Sequence, residues 1–135
     1  MRGLLLACLL VLFSAGAVLA QDEERRYVAP IDPDGVQRVE VVGGGYYFDP
    51  AVIVVKVNVP VELQVRSEGG ITPHDIVLQA PEAGIDFAEK LGREPVTIRF
   101  TPTRTGQYPF ECSKRFLFFA SHKERGMHGI LEVVE

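Results

Sequence analysis

From residue 36 onward, apolar and polar positions alternate in short runs. Val39 and Val41 share one face of a segment at 36–42, which Gly43, Gly44 and Gly45 end as a turn or bulge. Tyr46, Tyr47 and Phe48 precede Asp49 and Pro50, and Ile53, Val55 and Val57 then recur at every second position, so two more strands are predicted. Beyond Pro60, Val61, Leu63 and Val65 alternate with Glu62, Gln64 and Arg66, the period of a half-buried strand. Residues 67–70 turn the chain into a strand at 74–78. The section 79–95 looks irregular, with at most a short helical turn at 88–91. Val96, Ile98 and Phe100 resume the alternation, Gly106 turns the chain into 107–112, and 129–135 closes it as a strand. Seven or eight short strands separated by turn signals predict an all-β fold, an antiparallel sandwich or barrel.

The first 35 residues do not share this pattern. Arg2 precedes an apolar run at 3–13, and Val18, Leu19 and Ala20 before Gln21 have the small-residue form of a signal-peptidase site. Ser14, Gly16 and the charged run at 22–26 break the roughly 20 apolar residues that a membrane span needs. Residues 1–20 are therefore expected to be a signal peptide, and the mature protein to be exported to the periplasm without stable membrane insertion. Leu5, Leu6, Ala7 and Cys8 resemble a lipoprotein processing site, but they lie before most of the hydrophobic region. Residues 21–35, charged and carrying Pro30 and Pro33, are expected to be a flexible N-terminal segment or an edge, and 36–135 to form one domain. Only Arg2 among the charged residues leaves with the leader, so 13 basic residues face 18 acidic ones and the net charge is −5.

Removal of the leader also leaves one cysteine, Cys112, and one methionine, Met127. An exported protein normally pairs its thiols, and Cys112 has nothing to pair with. A lone buried cysteine can be a small hydrophobe, a lone methionine core filling, and a lone histidine a hydrogen-bonded surface group. In the stretch 112–129, however, the thiol is followed by His122, Met127 and His128, a soft donor set that suits copper better than magnesium or calcium. His74 is the one histidine outside that stretch. Met127 and His128 are neighbours at a strand entry, so if Met127 faces a metal His128 faces solvent.

These residues resemble the cupredoxins, the blue or type 1 copper proteins, over nearly the whole mature chain. The resemblance is carried by Phe48, Asp49 and Pro50 with 53–57 and 61–65, by His74, by 97–100 with 106–112, and by 127–133. It implies a Greek-key β-sandwich holding one copper ion by His74, Cys112 and His122, with Met127 as a weak axial ligand. Two features depart from the familiar pattern. Nine residues separate Cys112 from His122, where two to four are usual, and 114–119 could place a short helix in the 113–121 loop. That long loop is similar to periplasmic cupredoxins associated with copper tolerance. Asp75 stands where many relatives carry an asparagine that ties the ligand loops together.

The same residues could bind zinc, although such a site more often recruits a second cysteine, and a binuclear copper centre needs two bridging cysteines. No phosphate-binding glycine loop, nucleophile–base pair or nucleic-acid motif is present, because the triple glycine lacks a strand–glycine–helix context. With four protein ligands and no open position, catalysis is not expected. Phe116, Phe118 and Phe119 read as loop packing or, less simply, as a docking patch. Residues 111–129 carry Lys114, Arg115, Lys123 and Arg125 against Glu111 and Glu124, a local charge of +2 that could steer an acidic redox partner or could be a solvated loop. The expected function is copper tolerance or homeostasis by a monomeric Cu(I)/Cu(II) protein, with a mobile electron carrier as the alternative; a redox or copper-transfer protein is the partner either function would need.

Overall fold

The structure, a computed structural model, describes residues 25–115, 120–124 and 126–135. The expected signal peptide, Phe116, Phe118, Phe119 and Arg125 lie outside the described residues. Among these, ten strands form two sheets. The first sheet contains β1 (Arg26–Val28), β4 (Val52–Lys56), β10 (His128–Val134), β9 (Gly106–Glu111), β6 (His74–Ala80) and β7 (Ile85–Leu91), in that spatial order. The second contains β3 (Tyr47–Asp49), β2 (Gln37–Gly44), β5 (Val61–Ser67) and β8 (Val96–Phe100). No described helix is long and apolar enough to cross a membrane.

The sandwich is thus all-β as expected, with more strands than the seven or eight predicted and a mixed strand direction. β1 with β4, β4 with β10 and β2 with β5 are parallel pairs, because the connections cross between sheets; side-chain alternation carries no information on direction. Residues 26–28, in the segment expected to be flexible or an edge, form the outer strand of the six-stranded sheet. The larger correction is β7, in the stretch read as irregular with a helical turn at 88–91. Ile85 and Phe87 point inward from it, but Ala88, Glu89 and Lys90 are all exposed, and the strand pairs only with β6. An edge strand that leaves the core halfway along its length loses its alternation. Among the described residues of 113–121, none is helical.

One apolar interior lies between the sheets. Val39 and Val41 from β2 and Leu63 and Val65 from β5 meet Ile76, Leu78, Leu131 and Val133 from the other sheet. Two aromatic pairs cross it: Phe48 sits edge-on to Phe110 with ring centroids 5.3 Å apart, and Phe87 stacks on Phe100 at 5.8 Å. Gln37 is a fully buried polar side chain at one end of β2. It is satisfied by accepting from the Lys56 N–H (2.6 Å) and donating to the carbonyls of Lys56 and Val59 (both 3.2 Å). The other end of β2, at Gly43, faces the loops that carry the candidate ligands.

Gly129, on β10, is where the strands approach too closely for any side chain. A Cβ there would overlap the Phe110 ring and lie 2.5 Å from the carbonyl oxygen of Ala51. Gly129→Ala is expected to destabilise the fold by about 1–3 kcal/mol through overpacking, read as a fall in the urea midpoint. An unchanged midpoint would mean that the strands separate there without cost.

Candidate metal centre

Strand register brings the candidate ligands to one end of the sandwich. β6 begins at His74 and runs antiparallel to β9, which ends one residue before Cys112; Val77 opposite Glu111 fixes the alignment. Continued past the strand end, that register sets Asp75 opposite Ser113. β10 begins beside the same strand end with His128 opposite Glu111, and the Cys112 N–H donates to the Met127 carbonyl (3.0 Å) in continuation of the ladder. A cysteine and a methionine 15 positions apart are therefore cross-strand neighbours.

The loop between them is closed by its own backbone. The His122 N–H donates to the Lys114 carbonyl and the Met127 N–H to the His122 carbonyl, both at 2.9 Å. Ser121 and Glu124 complete the tie reciprocally. The Ser121 N–H donates to the Glu124 carboxylate (2.7 Å), and the Glu124 N–H donates to the Ser121 hydroxyl (3.2 Å). This is the bonding of a capping box around a turn that contains His122. The Ser-x-x-Glu pattern was visible in the sequence, but its meaning depended on His122 lying inside it.

The result is a compact donor set. One ligand atom from each of His74, Cys112 and His122 lies within 4.8 Å of the others, and the Cys112 Sγ is 3.3 Å from His122 Nδ1. All three residues are buried, with exposures of 5%, 1% and 2%, and Met127 is buried completely. The Met127 backbone bonds to both Cys112 and His122. His128 is exposed, as its alternation with Met127 requires. Tyr46, in left-handed backbone with φ 63°, packs its ring edge-on to His122 at 5.0 Å, a neighbour that no sequence pattern announced.

The electrostatics suit a cation. Burial pushes the Cys112 thiol up, while the backbone amides of Asp75 and Lys114 act in the opposite direction. Burial, followed by the proximity of His122, lowers His74, with Asp75 opposing. His74 Nδ1 is also buried without a hydrogen-bond partner. Two imidazoles and a thiol gathered out of reach of solvent are costly to bury, and a metal ion bonded to all three would remove that cost. The 3.3 Å between Cys112 Sγ and His122 Nδ1 is a spacing that two bonds of about 2.0–2.3 Å to one ion can span. Two imidazoles, one thiolate and a nearby thioether fit copper best.

The loop's basic residues are less available than their count suggests. Lys123 pairs with Glu111 at 2.5 Å, Arg115 with Glu124 at 3.5 Å, and Lys114 approaches Asp75 at 3.8 Å. Lys123 and Arg115 thus pair with the two glutamates already counted in the local charge of +2, so that excess remains, offset in part at Lys114 by Asp75 from outside the loop.

No protein-family model and no curated protein matches the chain. Solved structures do. A copper binding protein solved in its apo form in solution is 23% identical, with a TM-score of 0.59, covering 81% of this chain and 97% of that one. The metal binding domain of the Cu(I) exporting P-type ATPase CopA of Streptococcus pneumoniae is 26% identical over 80% of this chain and 94% of that one, with a TM-score of 0.57. Auracyanin from Roseiflexus castenholzii is 20% identical over 73% and 97%, with a TM-score of 0.57. The fold is that of the cupredoxins, and the three buried donors beside Met127 fit a blue copper site.

Gly43, read from the sequence as part of a turn or bulge, is buried in β2 behind this donor set. A Cβ on it would lie 3.1 Å from the Met127 methyl carbon and 3.1 Å from Phe48 Cε1. Gly43→Ala is expected to shift the Met127 methyl resonance in a 13C-methyl spectrum of the metal-free protein while the fold persists. A superimposable methyl signal would show that Gly43 does not shape the methionine's seat.

Proposed function

We propose that the mature chain is a periplasmic type 1 copper protein. It binds one copper ion through His74, Cys112 and His122, with Met127 as the axial donor, and serves copper tolerance or homeostasis. The observation that carries this reading is the buried trio of donors with an orphaned His74 Nδ1. When bound, copper would supply one-electron Cu(I)/Cu(II) chemistry, held by His74, Cys112 and His122 with Met127 beside them. The polypeptide's part is to hold the donors, keep water out and place Met127 at the side. No open coordination position is left for a substrate, which supports a non-enzymatic role. Export rests on the apolar run and small-residue site at the N-terminus.

Tolerance is favoured over a mobile carrier by the long loop between Cys112 and His122, which is similar to that of periplasmic cupredoxins associated with copper tolerance. The likeness to a metal binding domain of a Cu(I) exporting ATPase supports the same side. The alternative reading is a mobile electron carrier between redox partners.

The copper-loaded mature protein is expected to show an intense thiolate-to-Cu(II) band in the visible, and Cys112→Ser to lose it. An unchanged spectrum in that variant would refute the assignment. Met127→Leu should keep the band and raise the reduction potential, because losing a weak donor favours Cu(I), whereas His128→Ala should alter neither. A band lost in His128→Ala and unaffected by Met127→Leu would reverse the choice of ligand. In cells, deletion of the gene should cause copper sensitivity that is rescued by Lys123→Glu and not by Cys112→Ala; normal tolerance with impaired respiration would favour the carrier.

A further inference from the structure

Asp75 is a carboxylate with only 7% of its surface exposed, one residue from His74 and bonded to the residue after Cys112. One oxygen accepts from the Ser113 N–H at 2.7 Å, the other from the Ser113 hydroxyl, and the Lys114 ammonium lies 3.8 Å away. The side chain therefore joins the start of β6 to the loop after β9, the two segments that carry His74 and Cys112. Joining them does not require a charge, since an amide oxygen accepts from the Ser113 N–H equally well. What the carboxylate adds is a negative charge beside the donor set.

We propose that Asp75 sets the redox poise of the centre, its buried charge biasing bound copper toward the cupric state. The inference rests on the copper reading above. Copper(II) held by one thiolate and two neutral imidazoles carries one net positive charge, and copper(I) in the same ligands carries none. A fixed anion stabilises the charged state more, and a partly buried setting weakens that preference less than water would. Lys114 offsets part of the effect from its more solvated position, with 35% of its side chain exposed against 10% for Asp75. Asp75 is a positioning residue with a second, electrostatic role. A cupric bias suits a protein that holds copper under oxidising conditions.

The test is the reduction potential of copper-loaded wild type, Asp75→Asn, Asp75→Ala and Ser113→Ala, measured by mediated redox titration with the visible band as readout. Asp75→Asn and Asp75→Ala should both keep the band and raise the Cu(I)/Cu(II) ratio at fixed poise by about tenfold or more, about 59 mV for a one-electron couple. Ser113→Ala, which loses one bond to the carboxylate and keeps the charge, should move the ratio far less. An Asp75→Asn ratio matching wild type would overturn the proposal and leave the copper assignment standing, as would a Ser113→Ala shift equal to that of Asp75→Asn. Should Asp75→Asn fail to fold, the comparison of Asp75→Ala with Ser113→Ala decides in the same way. Absence of the band in wild type would instead refute the copper reading, and this proposal with it.

Discussion

Two imidazoles and a thiol are held at one end of the sandwich with almost no contact with water, and one imidazole nitrogen lacks a partner. Burying polar groups without compensation costs about 1–3 kcal/mol each by mutational measures, so such an arrangement is expected where a ligand repays it. The surrounding fold makes the arrangement possible. Gln37 and the aromatic pairs secure the interior, while the ladder between β9 and β10 continues into Cys112 and Met127. The fold thereby gathers the donors, with Cys112 Sγ and His122 Nδ1 3.3 Å apart.

Preorganisation is distributed unevenly. Cys112 and Met127 are set by backbone ladder bonds, whereas His122 depends on a 9-residue excursion closed by a few hydrogen bonds, a capping-box turn and the ring of Tyr46. Asp75 ties the remaining ligand strand to the cysteine loop. Two of the long loop's basic residues, Arg115 and Lys123, pair with Glu124 and Glu111, and the loop keeps a net positive charge.

Much of this was legible in the chain. The alternation read at 36–42, 61–66 and 96–100 reports strands with one buried face, and strands run over 37–44, 61–67 and 96–100, the first taking in Gly43 and Gly44, which the pattern assigned to a turn. The pattern failed at Ile85–Leu91, where an edge strand turns polar on both faces, and it could not reveal the parallel pairings, which depend on how connections cross between sheets. At the site, residue type alone pointed to Cys112, His122 and Met127, because the one thiol left after the expected leader, followed by two further donors, calls for an explanation. The contributions of Tyr46, Gly43 and Ser113 were not legible, because each acts through a contact made only after folding: with the His122 ring, the Met127 methyl and the Asp75 carboxylate respectively.

The central claim is a mononuclear copper centre bonded to one sulfur at short range and to two imidazoles. X-ray absorption at the copper edge of the mature protein loaded with one equivalent tests it most directly. The account predicts one short copper–sulfur distance, two imidazole shells and no copper–copper scattering. An oxygen and nitrogen shell without short sulfur, or a second copper in the coordination environment, would contradict it.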